Sequence, residues 1–274
     1  MIEAPRSHAS DDDPRPDRPL FELRDVSFSV DGKALPQPLT MSISARQMTA
    51  LVGHNGSGKS TLLKILARQQ RATTGSVSLE GRVLSVWLDR LLAQKVAYLP
   101  QQTPPANGML VKELVSLGRY PWHGALGRFS KLDRQKVDEA MSLTDVAGWA
   151  DRLVDSLSGG ERQRVWLAML VAQDAECLLL DEPTSALDIA HQIEILALIR
   201  CLSHAKGLAV LLVLHDVNMA ARFCDEIVAL HTGRMIAHGA PGEILEPEKL
   251  ENIYGVAMAV MTHPVTGDPI AVAC

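Results

Sequence analysis

The chain has 274 residues, a formal net charge of −5, 47% hydrophobic residues and 22% charged residues. A chain of this length can bury roughly three quarters of its unfolded surface in one or two domains. The composition is that of a globular protein and excludes a collagen-like fibre, a disulfide scaffold and a disordered chain. The acidic balance, without a run of lysines or arginines, argues against nucleic acid as a partner.

No stretch of the sequence predicts passage into or across a membrane. Apolar runs such as Leu208 to Leu214 are far shorter than the ~20 residues of a spanning helix. Residues 1–19 are rich in proline and acidic residues and lack the basic and apolar parts of a signal peptide, so we predict a disordered tail and a cytosolic chain. The four cysteines, with no CxxC spacing, predict four reduced thiols.

The first ordered half of the sequence predicts strands around one glycine-rich turn. Alternation of apolar and polar residues in Phe21–Val26 and Leu39–Ile43 indicates two strands of an antiparallel layer. An apolar strand, Met48–Val52, runs into the glycine-rich turn, and a helix with apolar residues at 62, 63, 65 and 66 follows. Further strands are predicted near residues 76–84 and 95–100.

The second half predicts a helical insertion followed by buried strands. Apolar residues at spacings of three and four between about 102 and 157 indicate helices. The continuous apolar runs 177–180 and 208–214 are typical of parallel strands buried on both faces. A hairpin is predicted from 227–230 and 234–237 around Thr232-Gly233.

A phosphate-binding loop lies between the predicted strand and helix. The pattern G-x-x-x-x-G-K-[ST] is filled by Gly53, His54, Asn55, Gly56, Ser57, Gly58, Lys59 and Ser60, and Thr61 follows. Glycines let backbone N–H groups turn toward phosphate oxygens, and the helix N-terminus adds positive dipole charge. Lys59 then faces the β- and γ-phosphates and Ser60 is placed for Mg²⁺. His54 occupies a free position of the pattern, so we expect no catalytic role for it.

Two acids follow the apolar strand 177–180. Asp181 is expected beside the phosphate loop, where its carboxylate can hold Mg²⁺ directly or through water. Glu182 can reach a water that attacks the γ-phosphate.

A second anion site is predicted at Leu157-Ser158-Gly159-Gly160-Glu161, where a hydroxyl and free N–H groups precede a helix. One nucleotide does not need two phosphate sites in one chain. Both sites are used if two chains pack head to tail, the second site of one capping the γ-phosphate held by the other.

These motifs together resemble those of ATP-binding-cassette (ABC) transporter ATPases. The stretch 157–163 is similar to the family's LSGGQ-type signature, with Glu161 where Gln is usual. The resemblance implies an α/β fold with a P-loop NTPase (RecA-like) core, an antiparallel β subdomain and a helical subdomain. It covers residues 20–260, with the helical subdomain at about 102–165, and leaves 261–274 as a C-terminal tail.

The resemblance also implies roles for residues outside the loop. Gln101 resembles the Q-loop glutamine that contacts Mg²⁺ and the attacking water, although the adjacent Gln102 fits as well. Asp188 falls in the D-loop between subunits, and His215 resembles the switch histidine at the γ-phosphate. Val30 stands where an adenine-stacking aromatic is usual, with Phe28 two residues earlier, so no stacking residue is assigned.

The partners implied are ATP, Mg²⁺, a second copy of the chain, a polytopic permease and, indirectly, a periplasmic substrate-binding protein. The chain would then sit at the cytoplasmic face of the inner membrane, with Tyr120-Pro121-Trp122 as aromatic anchors for the permease. The sequence is most similar to the ATPases of ferric hydroxamate (ferrichrome-type) siderophore importers. Haem, vitamin B12 or another iron chelate remains an alternative cargo, and a soluble ABC ATPase of DNA repair or translation an alternative class.

Overall fold

The computed structural model describes residues 19–274 except 31–32, 125–126 and 186, and it leaves the side chains of residues 30, 33 and 34 undescribed. Residues 1–18 of the predicted disordered tail lie outside this range, whereas Pro19 already begins the first strand. All four cysteines are free. Within the described ranges, no helix is both long enough and apolar enough to cross a bilayer.

The chain forms fourteen strands and ten α-helices within the described residues. The strands are β1 Pro19–Ser27, β2 Ser29–Val30, β3 Lys33–Ala34, β4 Leu39–Ser44, β5 Met48–Val52, β6 Thr74–Leu79, β7 Arg82–Val83, β8 Val96–Leu99, β9 Cys177–Leu180, β10 Ala209–Val213, β11 Glu226–His231, β12 Arg234–Gly239, β13 Met258–Thr262 and β14 Pro269–Ala273. The helices are α1 Lys59–Leu66, α2 Asp89–Lys95, α3 Val111–Leu117, α4 Tyr120–His123, α5 Lys131–Leu143, α6 Gly159–Ala172, α7 Ile189–Lys206, α8 Val217–Phe223, α9 Pro241–Ile244 and α10 Pro247–Tyr254.

A six-stranded sheet forms the centre of the protein, in the order β12-β11-β5-β10-β9-β8, with β12 as an antiparallel edge and the other strands parallel. Successive side chains of a strand point to opposite faces. In β9, Leu178 and Leu180 therefore enter one hydrophobic core, while Cys177 and Leu179 enter the other. This division explains the continuous apolar runs of the sequence and confirms the prediction of parallel strands buried on both faces.

The antiparallel layer predicted from the alternating segments is present. β1 pairs with β4, with Phe21 opposite Ile43 and Leu23 opposite Met41. The sheet has the order β4-β1-β6-β7. Its buried side chains share a core with α1 and one face of the central sheet, and each fully buried Leu or Phe contributes roughly 1.5–3 kcal/mol.

The helical subdomain packs on the opposite face of the central sheet. Helices α3 and α5 pack against α6. Their buried apolar residues belong to the same core as Leu178 and Leu180 of β9. Because α6 continues to Ala172, the predicted subdomain boundary at residue 165 falls inside this helix. The guanidinium of Arg119 is buried inside the helical subdomain. It donates to the Asp133 carboxylate at 2.9 Å and to the Ala172 carbonyl at 2.8 Å.

The C-terminal residues form a hairpin. β13 and β14 pair with Val260 opposite Ala271, and the hairpin contacts α8 and α10. The predicted division between the domain and a tail at residues 260 and 261 therefore falls inside β13. Apolar residues in both strands, with Ala271 buried, explain why this segment folds onto the domain.

Candidate active site

The site is built at the edge where parallel strands end. β5, β10, β9 and β8 run in the same direction, so their carboxyl ends meet at one edge of the sheet. The register pairs Leu99 of β8 with Leu180 of β9. Gln101 and Glu182 each follow two residues later, and they become neighbours for that reason.

The turn between β5 and α1 depends on glycines. Gly53 has a φ of 136° and Gly58 a φ of 98°, both in the region that disfavours side chains. A Cβ at Gly53 would lie 2.0 Å from the Leu230 carbonyl oxygen, so the loop can pass β11 only without a side chain at this position. Gly58 then caps α1, which begins at Lys59.

Lys59 lies inside the loop, with only 5% of its surface exposed. Its ammonium donates to the carbonyl oxygens of Gly53 at 2.8 Å and His54 at 2.9 Å. Burial lowers the pKa of Lys59, and the nearby charges of Glu182 and Asp181 oppose that shift. The loop thus presents a positive charge that its own carbonyl groups position.

Ser60 and Asp181 form an oxygen pair next to the loop. The Ser60 hydroxyl donates to the Asp181 carboxylate at 2.7 Å, and Asp181 is 2% exposed. Burial raises the pKa of Asp181, which the hydrogen bond from Ser60 opposes. The described residues contain no cluster of three His, Cys, Asp or Glu side chains that forms a metal cage. One hydroxyl and one carboxylate fit Mg²⁺, which completes its octahedron with water and substrate phosphates.

Glu182 is the centre of a three-residue cluster. The Gln101 amide donates to one of its carboxylate oxygens at 2.6 Å, and His215 Nε2 lies 2.8 Å from the other. Glu182 also has a φ of 51°, an unusual backbone conformation for a residue with a side chain. Such conformations persist where the surroundings hold them, which is common at functional sites.

His54 connects the loop to the β11–β12 hairpin rather than facing its interior. Its Nε2 accepts a hydrogen bond from the Thr232 backbone N–H at 3.2 Å, so the proton resides on Nδ1, 2.6 Å from the Asn55 carbonyl oxygen. The ring also contacts His231 edge to face. Of the other loop residues, Asn55 and Gly56 are exposed, Ser57 is buried, and Thr61 is half-buried at the start of α1.

The second predicted anion site is the N-terminus of α6. The Ser158 hydroxyl accepts from the Glu161 backbone N–H at 3.3 Å, and the Glu161 carboxylate accepts from the Ser158 N–H at 2.7 Å. These backbone and side-chain hydrogen bonds lower the pKa of Glu161. Gly159 is exposed, and a Cβ at the buried Gly160 would lie 2.7 Å from the His191 ring.

Asp188 caps the neighbouring helix α7. Its carboxylate accepts from the His191 backbone N–H and contacts His191 Nδ1, both at 2.9 Å. The backbone hydrogen bond, followed by the ring contact, lowers the pKa of Asp188. His191 thus links Asp188 to Gly160. Ala186, within the predicted D-loop, lies outside the described residues.

The structure gathers the predicted site residues into two groups. The loop, Ser60, Gln101, Asp181, Glu182 and His215 meet at one sheet edge, whereas Ser158–Glu161 and Asp188 share the surface of α6 and α7. Of the two candidates for adenine stacking, the Val30 side chain lies outside the described residues and Phe28 packs against the core.

Tyr98 is a site neighbour that the sequence did not reveal. Its buried hydroxyl has no hydrogen-bond partner among the described residues. Burial, with a further effect of the Asp181 charge, raises the pKa of Tyr98 to about 12. The sequence pattern of β8 does not indicate a buried hydroxyl at Tyr98, because the environment of this residue depends on the pairing of β8 with β9.

The parallel sheet, the phosphate loop and the acids at the strand ends define a P-loop ATPase. The family model for ABC transporters matches residues 36–185. The chain belongs to the ABC transporter family, as the motifs predicted, and is an ATPase of that family. The ferric enterobactin transport ATP-binding protein of Escherichia coli (strain K12) is 42% identical over 234 residues, covering 85% of this chain and 86% of the relative.

Other relatives agree with this assignment, and a solved structure has the same fold. The iron(3+)-hydroxamate import ATP-binding protein of Bacillus subtilis (strain 168) is 40% identical, covering 87% of this chain and 88% of the relative. The hemin import ATP-binding protein of Rhodococcus jostii (strain RHA1) is also 40% identical, over 93% and 86%. An ABC transporter solved in an inward-facing conformation has a TM-score of 0.82 at 24% identity, over 93% of this chain and 97% of that chain, which supports the predicted fold.

Proposed function

We propose that this protein is the ATP-hydrolysing subunit of an importer for ferric siderophores. The observation that carries the proposal is the cluster at Glu182, which Gln101 and His215 contact from two sides beside the Ser60–Asp181 pair. A carboxylate held in this way next to a phosphate loop can orient and polarise an attacking water.

ATP hydrolysis in this site rests on positioning and electrostatics. The loop N–H groups and Lys59 bind the β- and γ-phosphates, and the helix dipole of α1 adds to their attraction. Ser60, Asp181 and Gln101 are the residues that would hold Mg²⁺, which neutralises phosphate charge when bound. Glu182 accepts a proton from the attacking water, and His215 holds the γ-phosphate.

A second copy of the chain completes each site in the proposed cycle. The N-terminus of α6 carries an exposed Ser158 and Gly159, and its dipole attracts an anion. Ser158 and Gly160 of the partner chain would cap the γ-phosphate, while Asp188 lies between the subunits. ATP binding would then close the homodimer, and hydrolysis would reopen it.

The permease would dock on the surface formed by α2 and α4. Large apolar side chains are exposed on these helices and at the N-cap of α2, namely Leu88, Leu91, Tyr120 and Trp122. Arg90 donates to the backbone carbonyl groups of Pro121 and Trp122 and joins the two helices. Exposed aromatic and apolar residues on a rigid base are typical of interface hot spots. The proposed docking would bring the chain to the cytoplasmic face of the membrane.

The proposed cargo follows from the relatives, since this chain itself contacts no transported substrate. Relatives at about 40% identity carry names for enterobactin, hydroxamate, petrobactin and hemin uptake. Ferric hydroxamate is the cargo we propose first. Haem is the second candidate because the hemin import relative covers 93% of this chain at 40% identity.

Affinity purification from membranes tests the class. Recovery of a polytopic permease together with a periplasmic binding protein is expected, and recovery of soluble repair or translation factors instead would contradict the proposal. Uptake of radiolabelled ferrichrome, with unlabelled ferric catecholate, haem and cobalamin as competitors, then tests the cargo. Uptake that none of these three competitors reduces supports the hydroxamate, and uptake that one of them reduces as strongly as unlabelled ferrichrome does would contradict it.

A further inference from the structure

The C-terminal hairpin packs against α8 and α10, and the Asn218 side chain adds two hydrogen bonds to it. The Asn218 amide donates to the Ala271 carbonyl oxygen at 3.0 Å, and its carbonyl oxygen accepts from the Ala271 N–H at 2.7 Å. Both backbone polar groups of Ala271 therefore bond to a single side chain. Ala271 is buried, so losing this side chain would leave two polar groups without partners, which is costly.

Asn218 lies three residues after His215. The intervening Asp216 caps α8 by accepting from the backbone N–H groups of Asn218 at 2.7 Å and Met219 at 3.4 Å. Val217 is buried in a small core that contains Ala271 of the hairpin and Leu250 of α10. Each of the three residues that follow His215 is thus fixed in a different way: by a cap, by burial and by the Ala271 bonds.

The side chain of His215 is weakly constrained by its surroundings. Its side chain is 45% exposed, and the Glu182 carboxylate is its polar contact among the described residues. β10 ends at Val213, so the short connection to α8 determines where the imidazole lies. Helix α8 as a whole also packs against α7, α9, β5 and β11, whereas its first turn, next to His215, contacts the C-terminal hairpin through Val217 and Asn218.

We propose that Asn218 is a positioning residue for His215, and that the hairpin of β13 and β14 acts as a support for the active site. The proposal rests on the role proposed above for His215. When the amide of Asn218 is bonded to Ala271, the first turn of α8 is fixed and His215 stays within reach of Glu182. Without it, this turn gains freedom and the imidazole is placed less accurately.

The test is Asn218→Ala in the full-length protein. We expect kcat for ATP hydrolysis to fall roughly ten-fold, because small misplacements of catalytic groups cost rate, while KM for ATP stays unchanged. Hydrogen exchange of the backbone amides of residues 214–220 should be faster without nucleotide. Asn218→Asp, which keeps the acceptor for the Ala271 N–H but loses the donor to its carbonyl, should change both readouts in the same direction.

Matched controls separate positioning from general stability. Asn252→Ala removes an exposed asparagine of α10, and Tyr254→Phe removes a buried hydroxyl with no partner among the described residues. Both should leave kcat and the exchange of residues 214–220 unchanged.

A double-mutant cycle with His215→Ala shows whether Asn218 acts through the histidine. On the His215→Ala background, Asn218→Ala should lower residual activity no further. If it lowers activity as much as in the wild type, or leaves kcat and exchange unchanged in the wild type, the positioning role is wrong. Wild-type kcat in His215→Ala alone would instead contradict the role proposed for His215.

Discussion

The two regions that we propose as phosphate-binding sites are organised in opposite ways. In the loop region, Lys59 and Asp181 are buried, and the loop carbonyl groups and Ser60 hold them. At the N-terminus of α6, Ser158 and Glu161 cap each other, with Ser158 exposed and Glu161 half-buried. The first region is preassembled within one chain, whereas the second is a satisfied helix cap on an exposed surface.

This difference suggests that the two regions contribute to nucleotide binding in different ways. Buried, mutually bonded groups need little reorganisation when a phosphate arrives, so they favour tight binding. The groups of an exposed cap can exchange their internal hydrogen bonds for bonds to a ligand at a small free-energy cost, since water already competes for them. We expect the loop to determine affinity and the α6 N-terminus to determine closure of the dimer.

The largest expected effect tests the chemistry of the preassembled region. Glu182→Gln keeps the size of the side chain but removes its ability to accept a proton, so turnover should fall about 10³-fold with ATP affinity retained. ATPase assays measure the rate, and gel filtration with ATP should reveal a stable dimer. The control Glu248→Gln changes an exposed carboxylate of α10 and should have wild-type activity. Turnover within a few-fold of wild type in Glu182→Gln would contradict the general-base role.

A second change tests whether the loop determines affinity. Lys59→Ala removes the buried cation, and the Kd for ATP should rise about 100-fold, since charge-assisted contacts to phosphate are strong. Calorimetric titration measures the affinity. Lys131→Ala, which removes an exposed lysine of α5, is the control and should bind ATP as the wild type does. Equal affinity in the two variants would refute the phosphate-site assignment.

A smaller effect is expected at the exposed region. Ser158→Ala should lose about 1 kcal/mol of capping stability, retain ATP binding by the monomer, and lower turnover about ten-fold because the hydroxyl no longer reaches the partner's γ-phosphate. Ser130→Ala provides the comparison, since Ser130 and Asp133 form the same kind of cap on α5. If both variants lower turnover equally, the effect of Ser158 is only that of a helix cap.

The smallest effect concerns stability rather than turnover. Asp133 is buried, yet hydrogen bonds from Ser130 and Arg119, together with the charge of Arg119, lower its pKa from 3.8 to about 2. A lowered pKa stabilises the fold above about pH 4 and loses that contribution as the pH falls toward 2, on the order of 2 kcal/mol. The stability deficit of Asp133→Asn should therefore shrink between pH 4 and 3 in urea unfolding. Asp138→Asn, exposed on the same helix, should show no such change.

Most of the central fold follows from local patterns. The alternation in β1 and β4, the apolar runs in β9 and β10 and the loop motif each predict their element without tertiary information. The cap at Ser158 was also readable, because Ser158 and Glu161 have the spacing of a capping box. The C-terminal hairpin had a signal as well, in its two apolar stretches on either side of Thr266-Gly267.

Other parts of the site depend on contacts between distant segments. The choice of Gln101 over Gln102 rests on the pairing of Leu99 with Leu180, which places Gln101 next to Glu182. The bond between Asn218 and Ala271 joins residues 53 positions apart, and nothing local to either residue indicates it. The environment of Tyr98 likewise arises only when β8 and β9 pair.

Helix α6 can transmit movement because each of its ends has a different task. Its N-terminus presents Ser158, while Arg119 and Trp122 bind the carbonyl groups of Ala172 and Gln173 at its C-terminal end. With 14 residues it is a rod about 21 Å long. A tilt of about 10° at the end beside Trp122 would move the other end by roughly 4 Å, more than the length of a hydrogen bond. In the proposed dimer, such a lever would convert a small rotation beneath the permease into making or breaking contact with a nucleotide on the neighbouring subunit.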